Sequence, residues 1–176
     1  MYRICKGIDI DFAHHVRGHL GPCIHVHGHT WRFEVVLAAR ELDRQGFVVD
    51  FKDLKRGVLE PCHALLDHGL ALGSESYAEV EPALQALGEG LLASRADAVD
   101  VAPTKCADGP LHGAENRWPG GLKLAVFPFA PTAERLAEWL HGLAVSRLED
   151  ERVHVELARV FETQRPVASY AEYSDG

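Results

Sequence analysis

Hydrophobic and polar residues alternate along two segments near the start of the chain. Residues 2–14 alternate with a period of two, which is typical of a strand, and their apolar face ends in a histidine. Residues 27–39 alternate in the same way and predict a second strand after a loop that contains glycine and proline. The positions that share one face are Tyr2, Ile4, Ile8, Ile10, Phe12 and His14 in the first strand, and His27, His29, Trp31, Phe33, Val35 and Leu37 in the second.

The middle of the chain is predicted to be helical, with one irregular stretch. Apolar residues recur at helical spacing after residue 51, and Pro61 predicts a kink or a restart within that helix. Residues 73–121 are the least regular part: a second helical pattern precedes a stretch, 100–121, whose glycine, proline and aspartate content predicts a loop. The apolar positions are Leu54, Val58, Leu65 and Leu66 in the first helix and Val80, Leu84, Leu87 and Leu91 in the second.

The last third of the chain predicts a strand, a helix and a final strand. Pro131 to Glu134 opens the helix with an early acidic residue, and the tail after residue 170 is expected to fray. The order of elements predicts one α+β domain over residues 1–176, an antiparallel sheet with helices on one face, with an insertion at about 73–121. The apolar positions are Leu122, Leu124 and Val126; Leu136, Leu140 and Leu143; and Val153, Val155, Leu157 and Phe161.

Composition and charge exclude some classes of function. The chain has 176 residues and a formal net charge of −8, which argues against nonspecific nucleic-acid binding because that needs a basic surface. No apolar stretch approaches the roughly 20 residues that span a bilayer, and no signal-peptide pattern is visible, so we expect a cytoplasmic protein without a membrane partner. The four cysteines are irregularly spaced without a CxxC pair, which predicts free thiols.

Six of the eleven histidines fall within the first 29 residues. His27 and His29 alternate on one predicted strand, so their rings project together, and His14 ends the same face of the preceding strand. Three imidazoles with an open position are typical of a catalytic zinc site. The alternative is a group of surface histidines beside a loop, and the pattern alone does not exclude His25 or His15 as a ligand.

Cys23 is the first candidate for a catalytic group outside the histidines. A thiol close to a divalent cation is stabilised as the thiolate and can act as a base or a nucleophile. The alternative is a small buried hydrophobe, which is the usual environment of a free cysteine. We expect that second environment for Cys5, Cys62 and Cys106.

Two further acidic positions complete the list of candidates. Asp67 precedes His68 after a predicted helix, and an aspartate beside a histidine can orient the ring and hold its proton. The more common origin of such a pair is a histidine favoured by the helix C-terminus. Glu162 ends the last predicted strand, where a carboxylate is most often simply solvated.

In their order along the chain, these segments resemble the 6-pyruvoyltetrahydropterin synthase family, and more closely its bacterial 6-carboxytetrahydropterin synthase branch. The three residues between Cys23 and His27 are similar to that branch, whereas the animal pyruvoyl enzymes have a longer gap. The other matching segments are Ile10-Asp11-Phe12-Ala13-His14, Val49-Asp50-Phe51 with Leu54-Lys55, Leu66-Asp67-His68, Pro131-Thr132-Ala133-Glu134, and Glu162-Thr163 with Tyr170. Two features depart from the family: His15 stands where a basic residue is usual, and residues 73–121 exceed what a short bacterial member needs between its Asp-His and Pro-Thr segments, which the resemblance does not explain.

The resemblance implies an α+β T-fold (tunnelling fold), whose sheet closes into a barrel only when subunits join. The implied assembly is a trimer that pairs into a hexamer, with active sites between subunits. The resemblance also implies a Zn²⁺ cofactor and a pterin triphosphate as substrate. The implied residues are His14, His27 and His29 as metal ligands, Cys23, Asp67 and His68 as catalytic groups, and Glu162 as the group that binds the pterin.

The implied activity is that of a carbon–carbon lyase in 7-deazaguanine (queuosine) biosynthesis. It would convert 7,8-dihydroneopterin triphosphate to 6-carboxy-5,6,7,8-tetrahydropterin and release acetaldehyde and triphosphate. The alternatives are a 6-pyruvoyltetrahydropterin synthase, a phosphorus–oxygen lyase that eliminates triphosphate, and a noncatalytic zinc- or pterin-binding T-fold module. A thiol combined with an aspartate–histidine pair favours an enzyme, because a binding module needs no proton-transfer groups.

Overall fold

The computed structural model describes residues 1–93 and 113–172, which group into two compact units. Unit 1 takes Met1–Ile10, Thr30–His63 and the chain from Thr132 onward, and unit 2 takes Asp11–His29 and Ala64–Pro131, as far as these are described. The single domain over residues 1–176 stays a prediction. Residues 94–112 of the predicted insertion and residues 173–176 of the predicted frayed tail lie outside the described residues.

The described residues form a mixed α+β structure, as the pattern predicts. No helix in the described part of the chain is both long enough and apolar enough to cross a bilayer. Short irregular helices also occur, a 3₁₀ turn at Pro22–Ile24 and a π-helical segment at Lys55–Leu59. The main elements are the strands β1 (Tyr2–His14), β2 (His27–Ala39), β3 (Leu70–Gly73), β4 (Glu115–Arg117), β5 (Leu124–Phe127), β6 (Val153–Phe161) and β7 (Val167–Tyr170), and the helices α1 (Phe51–Leu54), α2 (Glu60–Leu66), α3 (Ser74–Ala93) and α4 (Ala133–Leu148).

The sheet is mixed, and the predicted all-antiparallel arrangement is wrong. Among the described residues the strand order is β4-β5-β3-β1-β2-β6-β7. β3 is parallel to both β1 and β5, whereas β6 is antiparallel to β2 and β7. A helical segment precedes β3 and another precedes β5, and such crossover connections are what parallel neighbours require. The pattern missed β3 because four residues, three of them buried, carry no alternation.

The first predicted helix is continuous from residue 51 to 66 but changes its type along the way. Asp50 caps it, because its carboxylate accepts the backbone N–H of Lys52 at 2.8 Å. The π-helical segment ends where α2 begins, one residue before Pro61. Proline lacks an N–H and its ring crowds the carbonyl four residues earlier, so the predicted restart takes the form of a widened turn.

The core of unit 1 lies between β2, β6 and α4. The rings of Phe33 and Trp139 meet nearly edge to face, with centroids 6.5 Å apart. The predicted start of α4 is confirmed, since the Thr132 hydroxyl accepts the backbone N–H of Arg135 at 3.3 Å as an N-cap.

A β-bulge in β6 changes which of its residues are buried. In the pairing of β2 with β6, Val36 lies opposite Leu157 and the next residue, Leu37, lies opposite Val155. Glu156 is therefore an extra residue with no partner in β2. The buried residues of β6 are Val153 and Val155 before the bulge and Ala158 and Val160 after it. The predicted inward positions Leu157 and Phe161 are therefore wrong, because the extra residue reverses the alternation.

Cys5 is exposed, in contrast to the predicted burial. It lies on the face of β1 opposite the buried residues, where its Sγ is 3.5 Å from Nη2 of Arg159 and 3.9 Å from Oε2 of Glu34. The prediction is confirmed for Cys62, which is fully buried, and Cys106 lies outside the described residues.

In unit 2 the predicted helix after residue 73 is α3, but its apolar stripe does not face the core. Val80, Leu87 and Leu91 are exposed. The buried positions of the helix are instead Ser76 and Gly88, and Gly88 lies against the carbonyl oxygen of Pro119 and the backbone of Gly120. A Cβ at Gly88 would lie 1.6 Å from that oxygen, so the absence of a side chain is what allows the contact.

We expect Gly88→Ala to destabilise unit 2, because the new methyl group would collide with backbone atoms that cannot rotate away. Gly90→Ala in the same helix is the matched control, since a Cβ there meets nothing within 4 Å. That control should stabilise the helix by about 0.5–1 kcal/mol. Thermal unfolding of the two variants measures the effect, and equal melting temperatures would contradict the packing of Gly88 against Pro119.

Candidate metal and catalytic site

His14 is the last residue of β1 and is almost completely buried. Strand alternation places it on the same face as Ile10 and Phe12, which are also buried. Its Nδ1 lies 2.9 Å from the carbonyl oxygen of Pro131. A carbonyl can only accept a hydrogen bond, so Nδ1 carries the proton and Nε2 is left as the lone-pair nitrogen.

His27 and His29 begin β2 and project toward His14. Nδ1 of His27 lies 2.8 Å from the carbonyl oxygen of His25, and by the same argument Nδ1 is the donor. The ring centroids are 4.5 Å apart for His14 and His27, 4.8 Å for His27 and His29, and 5.8 Å for His14 and His29.

These three histidines could hold a metal ion. One ring nitrogen from each lies within 4.8 Å of the others, and His27 and His29 are half-buried. The structure brings His14 rather than His15 into this group. His25 is exposed and contributes its carbonyl oxygen, not its ring.

The distance between two Nε2 atoms in this cluster indicates whether a cation would fit between the rings. Nε2 of His14 and Nε2 of His27 are 3.1 Å apart. Both Nδ1 atoms donate to carbonyls, so in neutral rings both Nε2 atoms present lone pairs to each other. Such a contact is repulsive unless a proton or a cation lies between the rings. Ligands of a tetrahedral zinc at roughly 2.0–2.1 Å lie about 3.3 Å apart, so the donor set fits zinc.

Cys23 lies in the 3₁₀ turn between β1 and β2 and is half-buried with a free thiol. Its carbonyl oxygen accepts the backbone N–H of Val16 at 2.9 Å, which closes the loop. The same loop is tied to α3 by Arg17, which forms an ion pair with Glu79. This guanidinium lowers the pKa of the Glu79 carboxyl, mainly by hydrogen bonding, so the ion pair persists at neutral pH.

Asp67 and His68 follow the end of α2 and are hydrogen-bonded to each other. Oδ2 of Asp67 is 2.7 Å from Nδ1 of His68. The other carboxylate oxygen accepts the backbone N–H of Asp11 at 3.3 Å. His68 is exposed and has a φ of +58°, which is uncommon for a residue other than glycine. The arrangement can orient an imidazole for proton transfer.

Glu162 lies in unit 1, directly after the last residue of β6, and its side chain is half-buried. Its role as the pterin-binding group stays a prediction, as do the catalytic roles of Cys23, Asp67 and His68 and the metal-binding role of the three histidines.

Three contacts of the site residues were not predicted from the sequence. The carbonyl of Pro131 orients His14, the carbonyl of His25 orients His27, and Nζ of Lys123 donates to the carbonyl of Asp67 at 2.7 Å. In all three the acceptor is a backbone carbonyl oxygen, which no sequence pattern reports. Pro131 was recognised in the sequence as part of the start of α4, but nothing in that motif indicated a contact with His14.

The model of the family described as 6-pyruvoyl tetrahydropterin synthase matches residues 3–173. The chain belongs to this family. The resemblance predicted from the sequence is thereby confirmed at the level of the family.

Relatives within the 6-pyruvoyl tetrahydropterin synthase family carry a more specific name. A 6-carboxy-5,6,7,8-tetrahydropterin synthase from Haemophilus influenzae is 25% identical over 178 residues, covering 98% of this chain and 100% of that protein. Proteins of the same name from Rickettsia typhi and Bacillus subtilis are each 35% identical, over 72 and 79 residues. Those two matches cover 41% and 44% of this chain and about half of each relative, 52% and 51%.

Solved structures show the same fold. An uncharacterized protein from Wolinella succinogenes has a TM-score of 0.69 at 25% identity, with 98% of each chain covered. The 6-pyruvoyl tetrahydropterin synthase of Caenorhabditis elegans has a TM-score of 0.56 at 15% identity, with 98% of this chain and 96% of that chain covered. At 15% identity the likeness to the Caenorhabditis elegans protein concerns the fold alone. It confirms that this chain has a fold similar to that of a 6-pyruvoyl tetrahydropterin synthase, as the predicted T-fold requires.

We expect His27→Ala to reduce zinc binding by more than the ~10–100-fold typical of an outer-shell partner, because it removes a ligand itself. His27 is chosen over His14 because it is half-buried and its loss leaves a smaller cavity. Zinc bound per chain after dialysis against chelator and reloading measures the effect.

His25→Ala and His15→Ala are the matched controls for this experiment. Both should retain zinc, because the first keeps its backbone carbonyl and the second lies outside the ring cluster. A loss of zinc in either control as large as that in His27→Ala would contradict the ligand set.

Proposed function

We propose that this protein is a zinc-dependent 6-carboxytetrahydropterin synthase. It would convert 7,8-dihydroneopterin triphosphate to 6-carboxy-5,6,7,8-tetrahydropterin, with release of acetaldehyde and triphosphate, in cytoplasmic 7-deazaguanine biosynthesis. The enzyme would act as a trimer or hexamer with sites between subunits. The family membership and the name shared by the relatives from three bacterial genera support this choice.

One observation carries the proposal: two imidazoles face each other through lone-pair nitrogens 3.1 Å apart, with a third imidazole beside them. Three neutral histidines form a site that keeps an open position for substrate, as in catalytic rather than structural zinc centres. A zinc ion bound there would act as a Lewis acid that lowers the pKa of a substrate hydroxyl.

The proton-transfer steps are assigned to groups of this chain. The Cys23 thiolate would remove a proton from the substrate side chain, and its half-buried free thiol supports that role. The Asp67–His68 pair would return protons to the ring or to the leaving fragment. In this pair the carboxylate accepts the Nδ1 proton, so Nε2 of His68 is the atom that exchanges a proton with substrate.

Glu162 would hold the pterin through its 2-amino and N3–H groups. A carboxylate offers two acceptor oxygens in a plane, which match two neighbouring donors, and such charge-assisted pairs are stronger than neutral ones. The half-buried side chain directly after β6 supports this role, since partial burial strengthens such a pair.

Anaerobic incubation of the zinc-loaded protein with 7,8-dihydroneopterin triphosphate tests the proposed reaction. We expect mass spectrometry to detect 6-carboxytetrahydropterin, and a coupled alcohol dehydrogenase with NADH to detect acetaldehyde in equal amount. The chelator-treated protein is the control. A 6-pyruvoyl product would instead indicate triphosphate elimination, and the absence of any product would favour a noncatalytic binding module.

We expect Cys23→Ala to abolish turnover while the protein still binds one zinc ion per site, because Cys23 does not belong to the cluster that could hold the metal. Cys5→Ala is the matched control, since that thiol lies exposed on β1 and should be dispensable. Activity and zinc content are measured on the same samples. Loss of zinc in Cys23→Ala would mean that the thiol is a ligand and not a base.

A further inference from the structure

The turn that carries His68 has a backbone conformation that needs external support. His68 has a φ of +58°, a left-handed backbone conformation that no other non-glycine residue in the described part of the chain adopts. Side chains with a Cβ pay a steric penalty there, so the conformation persists only when its surroundings fix it. Two backbone bonds contribute: His68 N–H to Asp11 O and Gly69 N–H to Leu66 O, both 2.8 Å.

A side chain supplies a third support. Nζ of Lys123 donates to the carbonyl oxygen of Asp67 at 2.7 Å, one residue before the left-handed position. The main chain of Lys123 holds the other side of the turn, because its carbonyl accepts the backbone N–H of Leu70 at 2.9 Å. A charged donor makes a stronger bond to a carbonyl than a neutral one does, and this one is partly shielded from water.

Lys123 is itself held in place by the end of the insertion. Its Nζ lies 5.7 Å from the centroid of the Trp118 ring, within the range of a cation–π contact. The segment between these residues is anchored to α3, because Gly121 N–H donates to the carbonyl of Gly88 at 2.9 Å. The close approach at Gly88 and Pro119 keeps this segment against the helix.

We infer that Lys123 is a positioning residue, which fixes the Asp67 carbonyl and so holds the turn from which His68 projects. This inference rests on the proposed function for its effect on activity. Lys123 acts through Asp67 and needs no contact with substrate. The same inference assigns a role to residues 113–121, the described end of the insertion. This segment carries the Trp118 ring and the Gly121 backbone bond that keep the Lys123 ammonium group in place.

The test replaces Lys123 by methionine, which keeps the length of the side chain and removes the donor. We expect kcat to fall about tenfold to a hundredfold, since misplacing a catalytic group by an ångström costs that much. KM and zinc content should stay unchanged, and the melting temperature should fall only slightly and stay well above the assay temperature. Lys123→Arg should recover most of the activity, because it restores a charged donor.

Lys6→Met is the matched control. Lys6 also rests on an aromatic ring, at 5.3 Å from the centroid of Phe51, but contacts no candidate catalytic residue. It should leave kcat unchanged. A fall in melting temperature that accounts for the loss in Lys123→Met, or failure of Lys123→Arg to recover activity, would overturn the positioning role.

A second measurement needs no substrate and separates this inference from the proposed function. Hydrogen exchange followed by mass spectrometry on the zinc-loaded protein should show faster exchange of the peptide 66–70 in Lys123→Met, but not in Lys6→Met. Faster exchange in a protein that forms no product would leave the positioning role intact and reject the function. Unchanged exchange would overturn the positioning role, whatever the activity.

Discussion

The contact between Nε2 of His14 and Nε2 of His27 sets the chemistry of the whole site. Both rings have their Nδ1 proton committed to a backbone carbonyl, so the facing nitrogens are both acceptors at 3.1 Å. Three parts of the chain must be in place to orient the two rings in this way: the end of β1, the carbonyl of His25 in the loop before β2, and the carbonyl of Pro131. An arrangement that is repulsive between neutral rings becomes attractive once a cation is shared. The backbone therefore fixes which ring nitrogens face each other, and a proton or a cation between them relieves the repulsion.

Alternation and helical spacing predicted the long elements well and the short ones poorly. β1 and β2 were predicted to the residue because thirteen-residue strands give a clear period of two. β3 was missed because it is buried on both faces, and β7 because four residues at the end of the chain gave no distinct signal. Strand parity predicted that His14, His27 and His29 could lie together, but it left His25 and His15 open as members, and the structure places both outside the cluster. The carbonyl groups that orient the rings could not be predicted, because every residue has one.

The helix α3 shows that a correct period does not ensure a correct environment. Its leucines recur at helical spacing, yet Leu87 is 53% exposed and Gly88 is buried. A glycine carries no hydrophobic signal, so a pattern of apolar residues cannot reveal that the contact face is defined by the absence of a side chain. The contact face lies where the backbone of Pro119 and Gly120 approaches.

The bulge at Glu156 has a consequence for how this family can tolerate insertions and deletions. Residues of β6 after the bulge are buried at even positions, and Glu162 continues that parity. Deleting Glu156 itself would restore a regular strand and leave every later side chain on its present face, because the bulge residue is the extra one. Deleting one residue after the bulge would instead turn the candidate pterin ligand Glu162 to the opposite side of the strand. A one-residue gap in a related sequence therefore preserves the direction of this glutamate when it falls at the bulge and reverses it when it falls later in β6.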